Sequence, residues 1–566
     1  MPKNMADRPK SSRPYEITRR GGGSSRTIRA TSKEEEREPL RAAAVLLLAA
    51  LVACTRGGGA ASGPPHVLRI AYAGDPASLV PLVAIDQEIV ALDTLFCETL
   101  VGLDGDNRDV PILVTRVPSR RNGDISPDGM RITYHLRPDA RFADGVPLTS
   151  ADVAFTYEAI FDPHNRATSV EPYRQIASLR TPDAHTVVIR LRAPWNAAVR
   201  VLFAEADYVY GILPKHAFAG TAVIGTPWEN APFGTGPFRV KSWLRGDRIV
   251  LERNTYYRPR PKLDEIVLQI VPNLNSNFVA LQSGAVDVGT LTAENAALAG
   301  RTPGVRVARF AENATRLLYL QTQAGPTREL GVRKAISQAL NYAALAGAWR
   351  NQYPAATSFL PPPIVRWRRP AIPAYRYDPA AAARAFDAAG WRLQRGIRFK
   401  NGTQLGGVIG VNSEDPINVR IATLVQAQLA AAGMPMQIKA NPTRIWFSPD
   451  GLLRNGQATI AGETWVGGSD PEQSLNLRCV QAVKGDENHS FYCSPRFEAL
   501  FDDQTRTPSR ARRDRDFAAI ERLVYDDVPV IPLYYEERLI GLRDRVSGYR
   551  LNMLWIPVGV ASWDAR

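Results

Sequence analysis

Tyr134-His135-Leu136-Arg137-Pro138-Asp139-Ala140-Arg141-Phe142-Ala143-Asp144-Gly145-Val146-Pro147-Leu148-Thr149-Ser150-Ala151-Asp152-Val153 reads as a strand, a turn and a helix start in succession. Arg131 to Leu136 alternates polar and apolar side chains, the period-two pattern of a half-buried strand. Asp144-Gly145 supplies the turn and Pro147 directs the chain out of it. The helical run Val153 to Phe161 follows, with Ser150 expected as its N-cap and Asp152 in its first turn, where both satisfy free N–H groups and suit the helix dipole.

Outward from this unit Val67–Tyr72 alternates like a strand, and further strands are read at Thr186–Leu191, Thr315–Thr322 and Val530–Tyr535. Helical spacing marks Ile89–Leu100, Arg333–Tyr342, Pro379–Ala389, Val419–Ala432 and Arg510–Tyr525. Strands and helices mix without a regular βαβ rhythm, which points to an α/β protein with mixed sheets. No fixed repeat is present. A chain of 566 residues is too long for one ordinary core, so two or three packed lobes are expected.

The net charge of +14 raises a nucleic-acid or anionic-membrane partner. The basic residues are diffuse, however. From Cys54 onward fifty-nine Lys and Arg face fifty Asp and Glu. The densest clusters, Arg366-Trp367-Arg368-Arg369 and Arg510 to Arg515, are short and read as solvated faces. No nucleic-acid partner is expected. Four cysteines exclude a disulfide scaffold, and no Cys-x-x-Cys or His-x-x-x-His spacing suggests a metal site, so neither metal nor cofactor is expected. Cys479 and Cys493 flank a polar stretch that a disulfide would close in an oxidising compartment. Cys97 reads as a small buried hydrophobe.

Arg41 is followed by twelve apolar residues, Ala42 to Ala53, then Cys54 and a Gly-rich tether to Pro65. Twelve helical residues span about 18 Å, short of the ~30 Å hydrocarbon core, so the run fits a secretory signal rather than a membrane span. Leu51-Val52-Ala53-Cys54 resembles the bacterial lipobox, which implies lipidation of Cys54 and an exported protein held at the periplasmic or outer face of the cell membrane. The alternative is a short buried helix that ends in cysteine. Residues 1–40 are polar and aperiodic, so a disordered leader is expected through residue 53, with a flexible tether over 54–65.

The opening stretch resembles the signature of extracellular solute-binding proteins of family 5, the oligopeptide/dipeptide type of ABC importers. Six further matches follow in the same order. They are Phe233-Gly234-Thr235-Gly236-Pro237-Phe238, Leu251-Glu252-Arg253-Asn254, Ser283 to Asp287, Val332 to Ile336, Asp378-Pro379 through Trp391, and Val528 to Tyr534. The resemblance implies a three-lobed fold of the periplasmic-binding-protein type II kind, with mixed sheets and a hinge between two main lobes. Lobe I would comprise 66–98, 235–310 and 530–566, lobe II the insertion 99–234, and lobe III 311–529. Crossings near Thr315–Thr322 and Tyr525–Tyr535 would form the hinge. It further implies a monomeric, non-enzymatic protein that captures a peptide or other small solute between the lobes and delivers it to ABC permease and ATPase subunits.

By the same resemblance, Ala84, Ile85 and Asp86 fall at the cleft edge and Tyr173 where an aromatic lies against the ligand. Trp465-Val466-Gly467-Gly468-Ser469-Asp470-Pro471 matches the segment whose carboxylate meets a peptide's free amine. That segment is one residue short here, and Gly468 stands where the acid is expected, leaving Asp470 or Asp86 to replace it. Asp86 also reads as a helix-start residue, Tyr173 as a packing tyrosine and Trp465 as core. Ser469 is not in a Gly-x-Ser-x-Gly elbow, and Gly234-Thr235-Gly236 lacks the third glycine of a dinucleotide fingerprint. A secreted hydrolase is therefore disfavoured. A neutral or non-peptide solute, such as an oligosaccharide or opine, is the alternative ligand.

Overall fold

The computed structural model describes residues 66–83, 87–205, 210–218, 220–350, 352–366 and 368–566. All of them lie in one compact unit, Ala60–Arg566. Cys54, Ile85 and Asp86 fall outside the described residues.

The opening stretch folds as a strand, a turn and a helix. Strand Arg131–His135 pairs antiparallel with Thr186–Leu191, and helix Ser150–Phe161 follows the turn. The cap sits one residue earlier than expected. Thr149 has the extended backbone of a cap, and the Asp152 carboxylate accepts its N–H at 2.8 Å. Ser150 is instead the first helical residue, and its hydroxyl donates to the Asp183 carbonyl. At the turn, Gly145 has φ +92° and packs so close to the Tyr256 ring that a Cβ would lie 2.8 Å from it. Gly234-Thr235-Gly236 is a strap. The N–H groups of Gly236 and Phe238 bond to the carbonyls of Phe96 and Leu95, and a Cβ at either glycine would strike that backbone. This strap accompanies a shorter helix than the spacing predicts, Gln87–Asp93, followed by a turn through Cys97. Likewise Arg333–Tyr342 resolves into helix Leu330–Ala339 and a second helix, Tyr342–Ala346, because the Asn341 side chain caps a new start.

One ten-stranded mixed sheet runs through the molecule. Its spatial order is Met436–Asn441, Gly407–Asn412, Ile460–Val466, Val305–Leu320, Val530–Arg543, Val288–Thr290, Val67–Tyr72, Glu265–Ile270, Arg248–Arg253 and Phe238–Leu244. Its two central strands are long, sixteen and fourteen residues, and pair antiparallel. Val305–Ala311 faces Glu537–Arg543, and Thr315–Tyr319 faces Val530–Tyr535, with the register shifted between Ala311 and Thr315 and again between Arg316 and Leu317. Such irregularities bend a strand and raise its twist. The irregularities fall between Ala311 and Thr315 and between Arg316 and Leu317. Burial changes there too, since Val305–Ala311 is largely exposed or half-buried while Glu312–Leu320 is buried throughout.

Candidate functional site

Strand Ile460–Val466 lies against the first crossing strand, with Trp465 opposite Thr315. Beyond it the chain is strapped down. Gly467 N–H donates to the Asn313 carbonyl at 2.9 Å and the Asn313 amide donates to the Gly468 carbonyl at 2.6 Å. A Cβ at Gly468 would sit 2.5 Å from the Gln473 amide, so no side chain fits there without Gln473 moving. Ser469 donates from its hydroxyl to the Arg200 carbonyl at 2.7 Å, and the Arg200 guanidinium returns a bond to the Ser469 carbonyl at 2.6 Å. Asp470 points inward. Its oxygens accept from both terminal nitrogens of Arg513, at 2.6 and 3.1 Å, and one caps the Glu472 N–H. The pair is nearly dry, with side chains 3% and 15% exposed. Burial alone would raise the Asp470 carboxyl, but the Arg513 guanidinium holds it below its ordinary range.

The same segment is bonded to residues 195–200. Trp195 Nε1 donates to Glu472 Oε1 at 3.0 Å, while Gln504 and Thr505 donate to its other oxygen. Asn196 donates from its backbone to the Thr505 carbonyl and from its amide to those of Gln504 and Thr507. Arg200 also pairs with Asp109 at 2.5 Å. Burial, and then the charge of Asp470, raises the Glu472 carboxyl.

At the crossing, buried charges meet. Arg538 bridges Glu88 at 3.3 Å and Glu312 at 3.2 Å and lies 3.6 Å over the Trp555 ring. Arg316 reaches Asp415 at 2.9 Å and lies within 4 Å of Glu463 and Glu536. Burial pushes the Glu312 carboxyl up to about 7 against the pull of Arg538. Ile89 and Val90, on helix Gln87–Asp93, share one apolar cluster with Leu317, Phe359, Ile364 and Met553, so that helix packs against the wall that carries Trp465.

The expected site residues thus divide. Gly468, Ser469 and Asp470 lie where residues 195–200 meet 468–507, with Asp470 already matched by Arg513, while Trp465 lies against the apolar cluster near His489. Tyr173 lies elsewhere, buried in a core, with its hydroxyl accepting the Phe203 N–H and its ring against Phe203 and Tyr210. Cys479 and Cys493 are joined in a disulfide, and burial, then the charges of Asp93 and Glu98, pushes the Cys97 thiol up. The solvated-face reading of the two arginine clusters fails at Arg366 and Arg513, which are drawn inward. Sequence reading missed Trp195, Asn196, Arg200 and Glu472, which bond to one another's segments across separations of 269 to 311 residues. Arg316, by contrast, carried a signal as a charge inside the apolar run to Leu320. Among the described residues no group of His, Cys, Asp and Glu is placed to hold a metal, and no helix is long and apolar enough to cross a membrane.

A mixed α/β fold with one large mixed sheet built around two long central strands is that of type II periplasmic binding proteins. The profile of bacterial extracellular solute-binding proteins, family 5 (middle region), matches residues 110–484, and the chain belongs to that family. Similar proteins include the oligopeptide-binding protein AppA of Bacillus subtilis, 23% identical over 510 residues that cover 86% of this chain and 89% of AppA. The nickel-binding periplasmic protein of Escherichia coli is 23% identical over 505 residues, covering 87% and 93%. Among solved structures, NikA from Brucella suis in complex with Fe(III)-EDTA superposes with a TM-score of 0.77 at 21% identity, covering 89% of this chain and all of NikA.

Proposed function

We propose that the protein is the solute-capturing subunit of an ABC importer, anchored outside the cell through Cys54, and that it carries peptides of the oligopeptide/dipeptide class to a membrane permease. The observation that supports this reading is the pair of long antiparallel central strands with broken register that carry one mixed sheet through the molecule. Such a joint can close over a solute by differential affinity for the closed state. The three lobes are taken as 66–98 with 235–310 and 530–566, 99–234, and 311–529. A second reading, a non-peptide solute such as an oligosaccharide or opine, is favoured by one observation. Gly468 offers no acid for a ligand's amine, and Asp470 is neutralised by Arg513.

Native mass spectrometry of protein purified without unfolding tests both. A peptide released on denaturation supports the first reading, and a released solute without peptide bonds supports the second. A protein that co-purifies with nothing, and is not stabilised by a peptide or sugar panel, contradicts the transport role. Replacing Cys54 by Ser tests the anchor, and membrane retention unchanged by it would count against lipidation.

A further inference from the structure

Counted by segment, the surplus of positive charge is local. Over residues 328–400 thirteen Lys and Arg face three Asp and Glu, whereas the rest of the chain from Cys54 onward holds forty-six against forty-seven. Helices Leu330–Ala339 and Pro379–Ala388 lie side by side and antiparallel in this segment, since the Asp378 N–H donates to the Gln338 carbonyl at 2.9 Å and a Cβ on Gly331 would lie 3.2 Å from Ala389. Lys334 and Arg384 are therefore level with each other, and both are exposed. A hairpin, Arg392–Gln394 with Ile397–Lys400, follows the second helix and is tied to the start of the first by Lys400, which donates to Glu329 at 2.8 Å. Four cations of the segment are paired with carboxylates: Arg350 with Glu294, Arg369 with Glu521, Arg398 with Asp387 and Lys400 with Glu329. Arg328, Lys334, Arg376, Arg384, Arg392 and Arg395 are exposed instead, and among the described residues none of them has a carboxylate within ion-pair reach. They follow the helix pair, about 15 Å long, from Arg376 at one end to Arg328 and the hairpin at the other. A large apolar side chain stands beside the arginines at each end, Tyr377 at 50% exposure and Leu393 at 56%.

We propose that this strip is a docking surface for anionic lipid headgroups, on which the body of the protein rests at a membrane surface. Each cation brought to a negatively charged leaflet strengthens binding roughly fivefold, so six in one strip form an effective patch. Their long stems can lie along apolar surface with the charged heads among phosphates, while Leu393 and Tyr377 enter the boundary of the acyl chains. Exposed cations without fixed partners, flanked by single apolar side chains, suit a fluid plane of headgroups, which needs no fitted groove. With Cys54 lipidated as proposed, residues 54–65 span at most about 40 Å, which keeps the body within reach of that plane. The inference goes beyond solute capture and holds whichever solute is carried.

The mature chain carrying Cys54→Ser has no lipid of its own, so it tests the strip separately from the anchor. Co-sedimentation is measured with vesicles of phosphatidylcholine alone and of phosphatidylcholine mixed equally with phosphatidylglycerol. Binding is expected to the mixed vesicles only, and it should fall steeply between about 0.1 M and about 1 M salt, as the screening length shrinks from about 10 Å to about 3 Å. The triple variant Arg384→Gln, Arg392→Gln and Arg395→Gln should bind the mixed vesicles roughly a hundredfold more weakly. A control that removes the same charge from exposed positions elsewhere, Arg121→Gln, Arg180→Gln and Arg260→Gln, should stay within about twofold of the parent, because those charges are screened from the contact. No binding to the mixed vesicles, equal binding to both kinds, a strip variant that binds as its parent does, or the same loss in the control each overturn the inference. Retention by duplex DNA without binding to vesicles would assign the strip to a nucleic acid and overturn it as well. The comparison of the two vesicles needs no variant, so it decides the matter even if the triple variant folds poorly.

Discussion

At the crossing, strands Val305–Leu320 and Val530–Arg543 stay paired on both sides of their register break, and buried charges fill the bend around Glu312, Arg316 and Arg538. At a second contact, residues 195–200 are held to 469–507 by hydrogen bonds from a few side chains and one backbone N–H, with no strand ladder. Each such bond contributes about 0.5–1.5 kcal/mol net. Continuous strands can flex without losing their pairing, whereas a handful of bonds can part and re-form within the range a ligand's differential affinity supplies. On the proposed solute-binding reading, the crossing would serve as hinge and the 195–200 contact as latch.

The largest effect should come from the ion pair beneath the latch. Asp470→Asn leaves the Arg513 guanidinium buried without its counter-charge, so urea unfolding should show a loss of about 3–5 kcal/mol. The effect would be on folding, and a variant of wild-type stability would mean that Asp470 is not committed to Arg513 and is open to a ligand.

Next in size is a pH dependence at the hinge. Burial first, opposed by Arg538, places the Glu312 carboxyl at about 7, above its ordinary 4.5. Between those values the native protein holds a proton that the unfolded chain has released. Glu312 therefore contributes its full stability below about pH 4.5 and loses it as pH rises through 7, a change of at most about 3 kcal/mol. Glu312→Gln should flatten the stability profile over that window, and an unaltered slope would argue against a proton there.

The latch should give the smallest stability change. Asn196→Ala removes its two side-chain bonds and should cost about 1–2 kcal/mol by denaturant unfolding, while releasing solute measurably faster in stopped-flow exchange. Faster release without any stability loss would sharpen the contrast with the hinge, and unchanged release would remove the latch role.

Legibility from sequence follows the same division. The unit 131–161 was readable because strand alternation, the Asp144-Gly145 turn and the helix start are local, and the error was one residue at the cap, where Thr149 and Ser150 are both competent. The two central strands are legible in part as strands, yet their register shifts are not, because a shift depends on the partner strand. The latch left almost no trace, since Trp195 and Glu472 are 277 residues apart and each alone reads as a surface side chain. Asp470 reads in the sequence as a candidate for a ligand's amine, whereas its carboxylate is paired with Arg513, a residue of a run read as solvated that the helix Arg510–Asp527 turns inward.

Small-angle scattering on the mature chain, with and without a solute shown by calorimetry to bind, tests closure at the crossing most directly. The account predicts a smaller radius of gyration in the bound state, with Asn196→Ala more expanded than wild type when solute is absent. Binding with no change in radius would contradict it.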